Sequence, residues 1–226
     1  MANVVMIVGE SGTGKSTSLR NLNPKETYII NCAGKPLPFK GSSAAYSLDN
    51  KNKYESAISG TILGVLDQIE KAPHIKNVII DDANFVMTDL YFEKVQETGY
   101  GKFTQIARAF QSILAKAKVM RNDINIAIMM HEENEVSNSV VIAKKVKTVG
   151  KMVDDQYSPQ SVVSIALYTS VSFDKESRPT YNFVTNRTLI NSITIPAKSP
   201  QEMFEDLYIP NDLAVVFQKA REYYGN

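Results

Sequence analysis

Short apolar runs without strict alternation recur through the first two-thirds of the chain, at residues 3–8, 27–31, 77–81 and 125–131. Runs of this length, apolar on both faces, predict strands covered on both sides, as in a parallel sheet. Between them the period changes. Phe103, Ile106, Ala107, Phe110, Ile113, Leu114 and Ala117 return every three or four residues, with Lys102, Arg108, Lys116 and Arg121 elsewhere, which predicts an amphipathic helix. Residues 54–71 and 84–97 carry the same period less clearly. Strand and helix in alternation predict an α/β fold with right-handed crossovers, a mostly parallel sheet flanked by helices. Residues 33–53, rich in Gly, Pro, Ser and Lys, and residues 133–160 read as loops.

The last third has a different pattern. Residues 162–173 and 180–187 are β-rich, and "DKESRP" between them has turn chemistry, so an antiparallel hairpin is predicted near the C-terminus. Ser199-Pro200 predicts the start of a short helix. "PNDLAVVFQKAREYY" predicts a terminal helix, capped by Asn211 or Asp212, with Leu213, Val216, Phe217 and Ala220 on one face. No internal repeat is present, and one domain over 1–226 is expected: a core at 1–160, then the hairpin and terminal helix at 161–226.

Composition narrows this picture only modestly. The chain has 226 residues, 43% hydrophobic and 22% charged, enough to bury a substantial core. Its net charge of +1 does not mark the whole molecule as a polyanion binder, so any nucleic-acid surface must come from local segregation of charge. One cysteine excludes an intrachain disulfide and a cysteine zinc cluster. No run of about 18 apolar residues occurs, and a strand begins within the first few positions, so a cytosolic protein without membrane or secretory segments is expected.

The chemistry is concentrated at "GESGTGKST". Gly9-Glu10-Ser11-Gly12-Thr13-Gly14-Lys15-Ser16 follows a predicted strand and opens a predicted helix, the context a phosphate-binding P-loop requires. Its backbone N–H groups can curl around phosphates at a helix N-terminus. Lys15 is positioned to neutralise the β- and γ-phosphates of ATP, Ser16 to ligate Mg²⁺, and Thr17 to meet the α-phosphate. A second acid for Mg²⁺ is expected at the end of a neighbouring strand, and "NVIIDDA" offers Asp81 as that acid. Asp82 is either a group that polarises the attacking water or a helix cap. His131 ends the fourth apolar run, where it could report the γ-phosphate or be satisfied locally. Glu132 and Glu133 follow, as water-positioning or solvated groups. Lys144, Lys145, Lys147 and Lys151 then cluster in "IAKKVKTVGK", as DNA-phosphate contacts, a cation for a neighbouring subunit's nucleotide, or a solvated face. Arg187 and Lys198 are further candidates for a subunit-bridging cation.

Taken together, "GESGTGKST", "YIINCAGKPLPFKG", "NVIIDDANF", "IAIMMHEEN", "KKVKTVGKMVD" and "AKSPQEMF…IPNDL" resemble a phage-type P-loop nucleotide-binding family of RecA-related ATPases, several regarded as single-strand annealing proteins. The resemblance runs from Val4 to about Leu213. It implies a RecA-like core, ATP and Mg²⁺ as cofactors, single-stranded DNA and further copies of the chain as partners, contact with a single-strand-binding protein, and the infected host's cytoplasm. It makes Lys15 and Ser16 the nucleotide grip, Asp81 the metal-side acid, and His131 the sensor before a DNA-proximal loop. One departure stands out. Such enzymes carry a glutamate just after the strand that follows the P-loop helix, whereas here that strand ends "IINCAGK". Either Asp82 or Glu132 takes that role, or hydrolysis is slow and nucleotide occupancy mainly switches assembly. A compact AAA+-type loader is the alternative, disfavoured by the β-rich end. A small-molecule kinase is disfavoured because the six arginines are scattered rather than gathered in a lid.

Overall fold

The computed structural model describes residues 1–150, 153 and 157–225. The four apolar runs form strands: β1 (Asn3–Gly9), β2 (Thr27–Asn31), β4 (Asn77–Asp81) and β5 (Asn125–Ser137). β1 and β4 are buried along their whole length, β2 at all but the partly buried Tyr28, and β5 over its first six residues. Among the described residues the sheet runs β3-β2-β4-β5-β1-β7-β8-β11, where β3 is Lys53–Glu55, β7 Ile165–Phe173, β8 Pro179–Val184 and β11 Tyr208–Pro210. The strands from β3 to β7 pair in parallel, whereas β8 and β11 are antiparallel to their neighbours, as the C-terminal hairpin predicts.

The two faces of the sheet bury separate cores. Val4, Met6, Val8, Ile126, Ile128 and Met130 pack against helices α2 (Ser59–Glu70), α3 (Asn84–Glu93) and α4 (Gly101–Val119). The alternate residues Val5, Ile7, Ala127 and Met129 pack against Leu19, Leu22, Leu37, Tyr46 and α5 (Leu213–Tyr224). The segment after β1 therefore lies on one face and the helices after β4 on the other. Connections that leave neighbouring strands toward opposite faces open a crevice at the strands' carboxyl ends. At the amino ends a buried polar ladder fixes the register: Asn3 Nδ2 donates to Asn125 Oδ1 (3.1 Å), Asn125 Nδ2 to Asn77 Oδ1 (3.2 Å) and Asn77 Nδ2 to Thr27 Oγ1 (3.4 Å). A slip of one strand would break these bonds and turn its apolar face outward.

Several local expectations need correction. Tyr54 belongs to β3, an edge strand beside β2, and the helix expected over 54–71 begins only at Ser59. The helix expected over 84–97 stops at Glu93. Residues 33–53 include one helical turn, α1 (Ser42–Ala45), and the buried Leu37 and Tyr46 pin that segment to the sheet. The stretch 133–160 is not one loop. β5 runs on to Ser137, and the chain turns through Asn138 and Ser139 and returns as β6 (Val140–Val146). Both turn residues have positive φ, 48° and 64°, the two-residue turn whose twist matches a hairpin. Asn191 and Ser192 repeat this turn between β9 (Thr188–Ile190) and β10 (Ile193–Ile195), and Thr194 of β10 pairs with Ala143 of β6. No helix follows Ser199-Pro200. A turn there, with Met203 N–H donating to Pro200 O, delivers Met203 and Phe204 to the core. The glycine-rich loop after β1 leads into a 3-10 helix, Ser16–Asn21, rather than an α-helix. Asp212 caps α5, its side chain accepting from Ala214 N at 2.9 Å. Among the described residues no helix is long and apolar enough to cross a membrane.

Candidate functional site

The crevice holds a cavity of about 650 Å³ lined by Ser11, Gly12, Gly14, Lys15, Ser16 and Thr17, by Asp81, Asp82 and His131, and by Arg20, Asn31, Lys35, Pro36, Pro38, Pro179, Thr180, Tyr181 and Asn211. Sheet order explains the convergence. β5 lies between β1 and β4, and its His131 pairs in register with Gly9, so the loop after β1, the acids after β4 and the histidine share one rim.

The loop has little freedom at its glycines. A Cβ on Gly9 would stand 1.7 Å from Thr169 Oγ1 of β7, and Gly12 and Gly14 have φ of +80° and +94°. Thr13 Oγ1 donates to Glu10 O (2.7 Å) and shares a second hydrogen bond with Thr169 Oγ1 (2.7 Å). The Lys15 ammonium is buried and donates to Gly9 O and Glu10 O, both at 2.8 Å. Two carbonyls use two of its three protons, leaving one for a phosphate oxygen. Burial lowers its pKa, opposed by the charges of Asp82, Asp81 and Glu132.

Ser16 Oγ donates to Asp81 Oδ1 at 3.0 Å, joining the two residues read from the sequence as metal-side groups. Burial pushes the Asp81 carboxyl up to about 6, the Asp82 charge adding to it against the Ser16 hydrogen bond and the Lys15 charge. Among the described residues no three His, Cys, Asp or Glu side chains form a protein-only metal site. A hydroxyl and a carboxylate side by side suit Mg²⁺, which takes one or two protein oxygens and completes its octahedron with phosphates and water. Asp82 behaves oppositely. Burial acts to raise its pKa, but hydrogen bonds from His131 and Lys35 outweigh it and hold the carboxyl at about 2. Its partners are His131 Nε2 at 3.2 Å and Lys35 Nζ at 2.8 Å, and its own φ is +54°, left-handed for a non-glycine residue. Strain of this kind marks a position that the surroundings over-determine. Asp82 is therefore neither a free helix cap nor exposed. The His131 backbone N–H is held by Asn84 Oδ1 (2.5 Å), whose amide also donates to Lys147 O (2.5 Å).

The lysine-rich segment divides. Lys144, on β6, reaches the P-loop, with Nζ 2.9 Å from Glu10 Oε1 and 2.7 Å from Glu132 Oε1. Burial acts to lower the Lys144 pKa, but both carboxylates outweigh it and the net direction is upward. The Glu132 carboxyl is raised by burial against Lys144, and Glu10 is lowered by its hydrogen bond from Lys144. Lys145 pairs with Glu133 at 3.4 Å, and Lys147 is exposed. None of Lys144, Lys145 and Lys147 lines the cavity, nor does Arg187, exposed before β9, or Lys198, whose backbone bridges to Ala166. Lys151 lies outside the described residues. Sequence reading passed over Lys35, Arg20, Tyr181 and Asn211. The first stands in the very "CAGK" that lacks an acid, and the last in "PNDL", which reads first as a helix cap. No protein-family model matches the chain and no curated protein matches it significantly, so the chemistry assigned to this site stands on its own geometry.

Proposed function

We propose that the protein is a P-loop ATPase with a RecA-like core that binds ATP with Mg²⁺, assembles with further copies of itself, and acts on single-stranded DNA in phage recombination. The observation that carries the nucleotide part is the meeting of Lys15, the Ser16–Asp81 pair and His131 on one rim of a cavity. The loop amides and Lys15 grip the phosphates, Ser16 and Asp81 hold the cation, and His131 donates toward the terminal phosphate. Mg²⁺, when bound, neutralises charge that develops on the phosphates. Asp82, ionised and held by two partners, lines the cavity and is the acid best placed to orient a water, whereas Glu132 is turned to Lys144 and does not line it. The DNA and assembly parts rest on the resemblance in sequence and on the hairpin of β5 and β6, which continues the His131 strand away from the cavity. The β-rich C-terminal third weighs against a helical-lid loader, and a single cavity-lining arginine, Arg20, against a kinase lid.

Equilibrium binding of ATP and measured phosphate release test this reading. Lys15→Ala is expected to weaken ATP binding by more than about tenfold. Asp81→Ala is expected to keep nucleotide binding and lose Mg²⁺-dependent hydrolysis. Wild-type behaviour in both variants would overturn the assignment.

A further inference from the structure

Lys35 has no assigned role, yet it lines the cavity and is salt-bridged to Asp82 at 2.8 Å. Its backbone is fixed: Asn31 Nδ2 donates to Lys35 O at 2.6 Å, Gly34 makes the turn with φ +65°, and Pro36 stiffens the next step. Its side chain is not fixed, being 59% exposed. The exposed ammonium can leave because His131 Nε2, 3.2 Å away, still holds the Asp82 carboxylate. A charge-assisted bond to a phosphate oxygen is the stronger alternative.

Location decides which phosphate. Asp82 follows Asp81, and Asp81 is bonded to Ser16, the pair suited to a cation shared between the last two phosphates. Lys35 therefore stands on the terminal-phosphate side, while Tyr181 of β8 and Asn211 before α5, whose carbonyl accepts from Arg20, stand beside Gly14 of the loop. With His131 still on Asp82, the moving ammonium stands between that carboxylate and the arriving phosphate and offsets their repulsion. We propose that Lys35 is a terminal-phosphate-binding residue: it rests on Asp82 and turns to the γ-phosphate of ATP, so that this loop reads triphosphate from diphosphate with a cation. The proposal rests on the P-loop reading above.

The test is the affinity ratio for ATP over ADP, each with Mg²⁺, in wild type, Lys35→Ala and Lys35→Arg, with melting of the nucleotide-free proteins as control. Lys35→Ala is expected to lose about tenfold in ATP affinity and little in ADP affinity. Lys35→Arg should restore most of the ratio, and the apo melting temperatures should agree because the residue is exposed. Equal losses for both nucleotides, or no loss for either, would overturn the role of Lys35 while leaving the P-loop reading intact. Wild-type protein that binds neither nucleotide, with Lys15→Ala no different, would overturn both.

Discussion

Asp81 and Asp82 are adjacent carboxylates with opposite proton affinities, and the cause is local. Asp81 ends β4 with its side chain in the buried crevice and one hydroxyl partner, whereas the strained backbone of Asp82 turns its carboxylate to His131 and Lys35. A buried acid whose folded pKa is raised loses stability as pH rises. For Asp81 the loss sets in at its ordinary value of 3.8 and is complete just above about 6. The difference corresponds to on the order of 3 kcal/mol at most. Asp82 works the other way and at lower pH: its contribution is present above 3.8 and fades as pH falls toward about 2. The two windows barely meet, so they can be separated. Asp81→Asn keeps the acceptor for Ser16 and removes the buried charge. Without nucleotide or metal, its melting temperature is expected to exceed wild type by several degrees at pH 7.5 and to match it near pH 4. A variant less stable than wild type at pH 7.5 would mean that Asp81 is stabilised by its surroundings rather than placed there for a cation.

At the scale of elements, β6 is fastened to the phosphate loop through a single ammonium. Lys144 serves Glu10 of the loop and Glu132 of β5, and the Glu132 side chain is only 9% exposed. Removing Lys144 leaves Glu132 buried and unpaired, at a cost of about 1–3 kcal/mol. Lys144→Met is expected to lower the unfolding free energy measured by urea denaturation by that amount. Adding Glu132→Gln should recover most of it, because the uncompensated charge is then gone. A double variant no better than the single would show that Lys144 acts through packing of its stem. This fastening also explains what could be read in advance. Strands β1, β2, β4 and β5 of the parallel sheet are legible because burial on both faces demands continuous apolar runs, whereas the exposed edge strand β3 is not, and the glycine-rich loop is legible because glycine spacing and chemistry coincide in nine residues. The β5–β6 hairpin is not, since Glu132, Glu133, Lys144 and Lys145 pair across strands, so that charge there reflects mutual neutralisation and not a loop. The turn residues Asn138 and Ser139 lack the glycine that usually signals the conformation. Lys35 and Asn211 escape for another reason: their neighbours in the site lie far away in sequence.

For the molecule as a whole, a net charge of +1 supplies no long-range attraction for nucleic acid, so the proposed DNA binding would have to depend on a few local cations and be sensitive to salt. The arrangement of the lysines reduces their number. Lys144 is neutralised by two carboxylates at the phosphate loop, and Lys145, paired with Glu133, would have to exchange that partner for a phosphate, whereas Lys147 is exposed. If the hairpin carries single-stranded DNA, each lysine that touches a phosphate adds about 0.7 to the slope of log affinity against log salt. Lys145→Ala/Lys147→Ala is therefore expected to flatten the slope for a labelled oligonucleotide by up to about 1.4 while leaving ATP affinity unchanged. Lys144→Met should barely change that slope and should instead weaken the response of DNA affinity to ATP, because it cuts the connection between loop and hairpin. That response is reciprocal by thermodynamic linkage, so oligonucleotide should tighten ATP binding by the same factor in wild type and by less in Lys144→Met. An unchanged salt slope in the double variant would place the DNA elsewhere on the molecule, and an unchanged ATP response in Lys144→Met would remove β6 from the path between the two ligands.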